Sequence, residues 1–257
     1  MTKKIDFSKR SSIRIGPIVD VYQIENLDYP KNAILIGSAN NLLIAPTPPP
    51  LMMLSKKFDY IKEEGEKLVI GAATPSGKIV SYCRKHNIAN FEFLAHLPGT
   101  LGGIIKMNAG LKEYEIFNNI TAVNIAGKLV YKKDIKHGYR HTDIDDVIFE
   151  AHFKIESGFK SNRIEEFKIM RANQPKEPSA GSCFKNPPNN YAGRLIQEVG
   201  LKGKRIGNMS FSLVHANFLV NLGGGTFEEA TFLIDEAKKK IYEKFNIHIE
   251  EEIIVIK

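Results

Sequence analysis

The chain has 257 residues, of which 43% are hydrophobic and 25% are charged, and these ordinary globular values exclude a wholly disordered protein. A chain of this length can bury a large core, which predicts one large domain or two modest ones. The first residues contain no apolar segment typical of a secretory signal, and no apolar run approaches the roughly 20 residues that span a bilayer. We therefore expect a soluble, cytoplasmic protein without membrane insertion.

The net charge of +7 and an isoelectric point near 9.2 suit either a nucleic-acid-binding protein or an enzyme for a substrate with several negative charges. Basic residues are scattered, as at Lys56-Lys57 and Lys238 to Lys240, and acidic residues are interleaved with most of them. No aromatic RNA-binding motif and no zinc-finger spacing is present. The sequence thus favours an anionic metabolite over nucleic acid as the partner.

Strands and helices are predicted in a mixed order without a regular strand–helix–strand rhythm, which indicates an α+β fold. The predicted strands cover residues 33–36, 68–70, 123–125, 149–155 and 218–220. Turns are predicted at Glu64-Gly65 and Ala126-Gly127. Thr74-Pro75 predicts a helix start, and Thr226 with Glu229 forms a capping-box pattern ahead of a long apolar stripe.

The two cysteines, Cys83 and Cys183, form no CxxC pair, and the sequence predicts no metal site. Without a secretion signal, both thiols are expected to be reduced. No partner base for Cys183 is evident, which favours a space-filling role over a nucleophile.

Two segments combine glycine with small or amide residues. The first, Ile36 to Leu43, has the form of a strand that ends in small residues and two asparagines. In the second, Pro98 to Gly110, the glycine density lets the backbone approach a phosphate or a flat ring without an intervening Cβ. Neither contains G-x-G-x-x-G or G-K-[ST], which excludes Rossmann and Walker phosphate loops. For each segment, an ordinary turn and a cofactor-binding loop are the two interpretations.

The segment with the most candidate catalytic and binding residues is Gln174 to Pro187. Small residues precede Ser182 there, and Lys185 and Asn186 follow it. No G-x-S-x-G elbow surrounds Ser182, which argues against a hydrolase nucleophile. A serine can instead give its proton to a strongly basic carbanion.

Two further segments carry charged residues. Tyr139 to Thr142 contains Arg140, whose planar guanidinium suits a carboxylate. Ile249 to Ile254 places acidic residues at the start of a final strand. In isolation, each segment is better explained as solvated surface.

Taken in order, five segments resemble the UDP-N-acetylenolpyruvoylglucosamine reductases, which are flavoenzymes of peptidoglycan precursor synthesis. Their family motifs are L-G-x-G-S-N-L-L, P-G-T-x-G-G-x-x-x-M-N-A-G, Y-R-x-S, S-A-G-S-x-F-K-N-P and L-E-x-E-V. The matching segments are Ile36 to Leu43, Pro98 to Gly110, Tyr139 to Thr142, Ser179 to Pro187 and Ile249 to Ile253. Segments 200–207 and 215–221 are also similar, so the resemblance covers nearly the whole chain. The interval between Arg140 and Arg171 is too short for the tyrosine-bearing loop of one branch, so the chain resembles the shorter, second type.

The resemblance implies a two-lobed FAD-binding domain of the vanillyl-alcohol-oxidase type at residues 1–155, with lobes near 1–60 and 61–155. A smaller α+β substrate-binding domain is implied at residues 156–257. The implied cofactor is FAD, with NADPH as co-substrate. The implied FAD contacts are Gly37, Asn40, Asn41, Pro98, Gly99, Thr100, Gly102, Gly103, Asn108 and Ala109. The implied substrate contacts are Tyr139, Gln174, Lys185 and Asn186.

The implied reaction reduces UDP-N-acetylglucosamine enolpyruvate to UDP-N-acetylmuramate. Hydride passes from NADPH to flavin N5 and then to the terminal enolpyruvyl carbon. Arg140 and a protonated Glu252 stabilise the enolate that forms, and Ser182 protonates the carbon beside the carboxylate. We also expect a monomer, and the scattered basic residues predict that it binds no nucleic acid.

Three alternatives stay open. An oxidase of small alcohols on the same scaffold would not need the Ser179 to Pro187 segment, and its reduced flavin would react quickly with oxygen. A basic binding module would bind no flavin and would show salt-dependent affinity for nucleic acid. A degenerate family member is disfavoured by the presence of Arg140, Ser182 and Glu252.

Overall fold

The structure, a computed structural model, describes all 257 residues and divides into two compact units. The first consists of residues 1–3, 21–38 and 50–172, and the second of residues 4–20, 39–49 and 173–257. Residues 4–20 and 39–49 thus pack with the C-terminal part of the chain, although both lie inside the predicted domain 1–155. A division into compact units does not test which residues bind FAD and which bind the substrate. The predicted boundary between domains 1–155 and 156–257 therefore stays a prediction. None of the helices combines the length and the apolar character needed to cross a membrane.

Six α-helices are present. They are α1 (Phe7–Arg10), α2 (Ser76–Lys85), α3 (Leu101–Lys106), α4 (Ser161–Met170), α5 (Ala192–Glu198) and α6 (Phe227–Phe245). The predicted capping box of α6 is confirmed, because the Thr226 hydroxyl accepts the N–H of Glu229 at 3.2 Å and the Glu229 carboxylate accepts the N–H of Thr226 at 3.2 Å. The helix ends where Asn246 adopts a left-handed conformation with φ of 54°.

The predicted start of α2 is wrong by one residue. Pro75 is the N-cap residue and lies outside the helix. The side chain of Thr74 is buried, and its hydroxyl donates to the carbonyl of Tyr60 at 3.1 Å, so it is not available to cap the helix. The apolar face of α2 is confirmed, since its buried side chains include Ile79, Val80 and Cys83.

Nineteen strands, most of them short, make up the β structure. They are β1 (Thr2–Asp6), β2 (Ile18–Ile24), β3 (Ile34–Leu35), β4 (Leu42–Ile44), β5 (Leu51–Leu54), β6 (Ile61–Glu64), β7 (Lys67–Gly71), β8 (Gly110–Leu111), β9 (Tyr114–Glu115), β10 (Ile120–Ile125), β11 (Lys128–Tyr131), β12 (His137–Gly138), β13 (His141–Thr142), β14 (Ile148–Lys154), β15 (Ser179–Ser182), β16 (Arg205–Ile206), β17 (Met209–Phe211), β18 (Phe218–Asn221) and β19 (Ile254–Ile256). The five predicted strands are confirmed as β3, β7, β10, β14 and β18. The predicted turn at Ala126-Gly127 is also confirmed: both residues have positive φ, as a tight two-residue hairpin turn requires.

The first unit is built around an antiparallel sheet with the strand order β11-β10-β14-β7-β6. The alternation that predicted β14 is visible in its burial: Phe149, Ala151 and Phe153 are buried, whereas Glu150 and His152 are only partly so. Helices α2 and α3 contribute side chains to the same core as this sheet. A smaller sheet in the order β1-β2-β5-β3 contains the parallel pairs β2–β5 and β3–β5.

The second unit contains an antiparallel sheet in the order β15-β18-β17-β16, whose buried side chains share a core with α6. The buried face of α6 consists of Ala230, Leu233, Ile234, Ala237 and Ile241. A separate parallel pair, β4–β19, joins residues 42–44 to residues 254–256. The fold is therefore a mixture of helices and largely antiparallel sheet, in agreement with the predicted α+β class.

Candidate active site

The glycine-rich segment Pro98 to Gly103 is fixed to the residues that precede helix α2. Backbone hydrogen bonds of 2.8–3.0 Å join Gly99, Leu101 and Gly102 to residues 72–76. Gly99 has a φ of +147°, which L side chains rarely adopt, and a Cβ on Gly102 would lie 3.2 Å from the Ala72 side chain. These two glycines therefore serve the packing of the segment itself.

Two other glycines leave one face of this segment open. Gly103 is exposed, and a Cβ there would meet nothing closer than Thr100 Oγ1 at 4.0 Å. Gly37, just after β3, lies beside it: its Cβ would be 3.1 Å from Thr100 Oγ1 and 4.0 Å from Gly103 Cα. The structure thus brings together three of the predicted FAD contacts. A flat ring or a phosphate can approach the backbone of Gly103 there, with the Thr100 hydroxyl as the neighbouring side-chain group, so these residues fit the implied cofactor.

Asn108 lies in the interior of the first unit. It is fully buried, and its amide nitrogen donates to the Glu115 carboxylate at 2.7 Å and to the Gly138 carbonyl at 3.0 Å. Its amide oxygen accepts the N–H of Phe117 at 3.3 Å. The side chain of this predicted FAD contact therefore holds the neighbouring loops together. Ala109 is partly exposed, and its N–H and carbonyl both form hydrogen bonds within the unit.

The predicted FAD contacts Asn40 and Asn41 belong to the second unit. The left-handed residue of this turn is Ala39, with φ of 62°. The amide nitrogen of Asn41 donates to the main-chain carbonyl of Glu252 at 2.8 Å. The carbonyl of Asn41 accepts the N–H of Ile254 at 2.9 Å. Asn41 is therefore joined to the segment of the predicted catalytic glutamate.

Arg140 lies in the first unit with a left-handed φ of 54°. Its Nη2 donates to the carbonyl of Gly110 at 3.1 Å, and its guanidinium carbon lies 5.1 Å from the ring centroid of the exposed Tyr139. Burial lowers the pKa of Arg171, and the positive charge of Arg140 lowers it further. The two guanidinium groups therefore lie close enough to repel each other. Two guanidinium groups in one region attract anions strongly.

Ser182 is the last residue of β15, which pairs with β18. Gly181 has a left-handed φ of 82°, and the strand register shifts between Ser179 and Ser182. Ser182 is partly exposed, whereas Cys183, the next residue, is buried in the core of the second unit. The buried neighbour anchors the serine at the end of its strand.

Both cysteines fill space, as predicted for Cys183. Cys83 and Cys183 are buried free thiols. Burial raises the pKa of Cys83 to about 12 and raises the pKa of Cys183 further above its ordinary range. Neither therefore forms the thiolate that reactivity requires.

Glu252 lies beside the Ser182 segment within the second unit. The N–H of Glu252 donates to the carbonyl of Cys183 at 2.9 Å, and the N–H of Lys185 donates to the carbonyl of Glu250 at 2.9 Å. The segments that carry two of the three predicted catalytic residues are thus joined by their main chains. The third, Arg140, belongs to the first unit.

Two predicted substrate contacts, Lys185 and Asn186, form interactions with other residues of the chain. Lys185 Nζ lies 3.2 Å from the carboxylate of the exposed Glu250, and such a pair contributes only about 0–1 kcal/mol, so an anionic ligand can replace it. Asn186 Oδ1 accepts the N–H of Ala192 at the start of α5, at 3.0 Å. Gln174 is partly exposed at the start of the second unit's C-terminal stretch.

Known proteins closely match the whole chain. It is 46% identical to the UDP-N-acetylenolpyruvoylglucosamine reductase of Helicobacter hepaticus, with 99% of each chain covered, and 44% identical to that of Helicobacter pylori, with 98% of each covered. The chain belongs to the UDP-N-acetylenolpyruvoylglucosamine reductase family. The model of the C-terminal domain of these reductases matches residues 174–256. The crystal structure of the Thermus caldophilus reductase is 27% identical and covers 100% of this chain with a TM-score of 0.87.

Membership of the reductase family confirms the resemblance seen in the motifs, including the shorter, second type. The assignment of individual site residues stays a prediction. An open surface pocket of about 650 Å³ in the first unit is lined by residues between 120 and 137 and contains none of the predicted site residues.

Two residues next to the Ser182 segment, Asn217 and His215, are absent from the predicted site. Asn217 is 4% exposed, and hydrogen bonds join it to Cys183 and Phe184. His215 Nδ1 accepts the N–H of Asn217 at 3.2 Å, and burial lowers the pKa of His215. The available signal was an asparagine directly before the apolar run of β18, because a buried amide in such a strand must find hydrogen-bond partners.

Proposed function

We propose that this chain reduces UDP-N-acetylglucosamine enolpyruvate to UDP-N-acetylmuramate in peptidoglycan precursor synthesis, with FAD as cofactor and NADPH as co-substrate. The observation that carries the proposal is the 44–46% identity, over nearly the whole chain, to reductases named for that substrate. The proposal includes a vanillyl-alcohol-oxidase-type FAD domain at 1–155 and a substrate domain at 156–257.

The chain's own residues would hold the cofactor at the open face formed by Gly37, Thr100 and Gly103. The lack of a Cβ on Gly37 and Gly103 supports close approach of the flavin or its diphosphate beside the Thr100 hydroxyl. Bound FAD would supply the hydride-transfer chemistry that links NADPH to the sugar. Asn108 would act indirectly, by keeping the loops around residues 108–117 in place.

Arg140 would bind the carboxylate of the enolpyruvyl group. Addition of hydride to the terminal carbon places negative charge on that carboxylate and the adjoining carbon, so a guanidinium there stabilises the enolate more than the substrate. Arg171 would strengthen the positive potential in the same region. Glu252 would contribute as a hydrogen-bond donor, which requires its carboxyl group to be protonated.

Ser182 would complete the reaction by giving its hydroxyl proton to the carbon beside the carboxylate. An enolate is basic enough to accept a proton from a serine, provided that the serine is held in line. The buried Cys183 supports this by fixing the end of β15. Lys185 and Asn186 would contact the diphosphate or the sugar, with Gln174 and Tyr139 as further substrate contacts.

The visible spectrum of the purified protein under nitrogen tests the proposal. We expect a flavin spectrum, or uptake of added FAD, that NADPH bleaches and that UDP-N-acetylglucosamine enolpyruvate restores with formation of UDP-N-acetylmuramate. A colourless protein that takes up no FAD would contradict the proposal. Reduced protein that oxygen reoxidises much faster than the sugar does would instead favour an oxidase.

A further inference from the structure

The main chain of Glu252 is held from two directions. Its N–H donates to the carbonyl of Cys183 at 2.9 Å, and its carbonyl accepts the amide nitrogen of Asn41 at 2.8 Å. Asn41 also accepts the N–H of Ile254 at 2.9 Å through its own carbonyl, next to the β4–β19 pair. The place of Glu252 therefore depends on directed hydrogen bonds from two separate segments.

The Cys183 end of this arrangement is held by Asn217. The N–H of Cys183 donates to the main-chain carbonyl of Asn217 at 2.7 Å. The side-chain oxygen of Asn217 accepts the N–H of Phe184 at 3.0 Å, and its amide nitrogen donates to the carbonyl of Phe184 at 2.8 Å. Because Asn217 is only 4% exposed, water cannot readily replace these bonds.

We propose that Asn41 and Asn217 are positioning residues that, together with the carbonyl of Cys183, set the place of Glu252 relative to Ser182. We call these three groups the amide frame. The proposal rests on the proposed function, since it assigns the frame to the step in which Ser182 and Glu252 act. A displacement of about 1 Å in a reacting group can cost roughly 100-fold in rate, so small losses of order in the frame should be measurable.

A role of Asn41 in binding FAD and a role in positioning Glu252 predict different effects of its substitution. If its side chain contacts FAD, as the motif alone implies, its loss lowers FAD affinity. In the structure, its amide nitrogen is instead bonded to Glu252. Loss of that bond should leave FAD affinity unchanged and should slow the reaction with the sugar.

The test uses isosteric aspartate variants, because Asn→Asp replaces an amide donor by an oxygen without changing the side chain's size. In Asn41→Asp that oxygen faces the Glu252 carbonyl, and in Asn217→Asp it faces the Phe184 carbonyl. Asn221→Asp is the matched control. Asn221 is the last residue of β18 and, like Asn217, is almost fully buried (3% exposed), but its amide nitrogen donates to the carbonyls at residues 13 and 14.

Three quantities are measured on FAD-loaded protein: FAD affinity, the rate constant of flavin reduction by NADPH, and the rate constant of reoxidation by UDP-N-acetylglucosamine enolpyruvate in stopped flow. We expect Asn41→Asp and Asn217→Asp to slow reoxidation by about tenfold or more, with the other two quantities at wild-type values. Asn221→Asp should change none of the three. A purely structural role would lower the amplitude, which reports the folded fraction, but not the rate constant.

An unchanged reoxidation rate constant in either frame variant, or an equal loss in Asn221→Asp, would overturn the amide frame. If an aspartate variant does not fold, Asn41→Ser and Asn217→Ser, which shorten the side chain and break the same bonds, replace it in the comparison. Wild-type protein that NADPH reduces but the sugar does not reoxidise would overturn the proposed function, and the frame with it.

Discussion

The substitution Gly103→Ala should stabilise the cofactor-free protein while weakening its affinity for FAD. Gly103 is exposed in helix α3, and an added Cβ would meet nothing closer than 4.0 Å. Alanine is better than glycine in a helix by about 0.5–1 kcal/mol, so the free energy of unfolding should rise by up to that amount. If FAD lies on the open face beside Gly37, the same methyl group enters its space, and a tenfold loss of affinity corresponds to about 1.4 kcal/mol.

The matched control for this prediction is Gly77→Ala in helix α2. Gly77 is also exposed, and its Cβ would have no neighbour within 4 Å. Urea unfolding of the FAD-free proteins measures stability, and quenching of flavin fluorescence on titration measures FAD affinity. Both variants should gain stability, and only Gly103→Ala should lose affinity. Equal FAD affinity in the two variants would refute the reasoning that places the cofactor at this face.

Four further predictions concern single side chains. Ser182→Ala should leave flavin reduction by NADPH intact and slow reoxidation by the sugar by about 100-fold or more, whereas equal loss in both half-reactions would contradict its role as proton donor. Glu252→Gln keeps a donor that needs no protonation and should retain more sugar-reducing activity than Glu252→Ala; equal activities in a kcat comparison would argue against hydrogen-bond donation. The pKa of His215 is lowered from 6.5 by burial, so the unfolded state binds more protons and the free energy of unfolding should fall as the pH decreases below that value. His215→Gln should flatten this part of the pH–stability curve, and an unaltered curve would refute the assignment. Cys83 and Cys183 should react with a thiol reagent only when the protein unfolds, and rapid labelling of the folded protein would be inconsistent with their raised pKa values.

Elements with strong local patterns could be predicted from the sequence. Helix α6 carries its capping box and apolar stripe within one continuous segment, so no distant residue is needed to specify it. Strand β14 is specified in the same way by its alternation. The start of α2 was missed because Thr74 forms a tertiary hydrogen bond, which a local capping rule does not include.

The division of the chain into compact units could not be predicted, because it depends on pairing between distant residues. No local sequence pattern in residues 39–49 predicts that a strand there pairs with residues 254–256. The same limit applies to the site: the motif placed Asn41 in a cofactor loop, but its hydrogen-bond partner is Glu252, on a segment at the other end of the sequence. Asn217 was likewise missed because its side chain bonds to Phe184, on a distant segment just after β15.

The parallel pair β4–β19 also bears on how the protein folds during synthesis on the ribosome. Residues 42–44 emerge early, but their partner strand is made only when residues 254–256 have been translated. The core of the second unit includes the side chains of Ile13, Ile15 and Leu43. These side chains can be buried there only after the C-terminal residues of the unit have been translated. Most of the first unit is continuous from residue 50 to residue 172 and has its core residues available much sooner. The nascent chain thus carries unburied apolar surface near its N-terminus for most of its synthesis, and such surface favours aggregation until the C-terminal residues cover it.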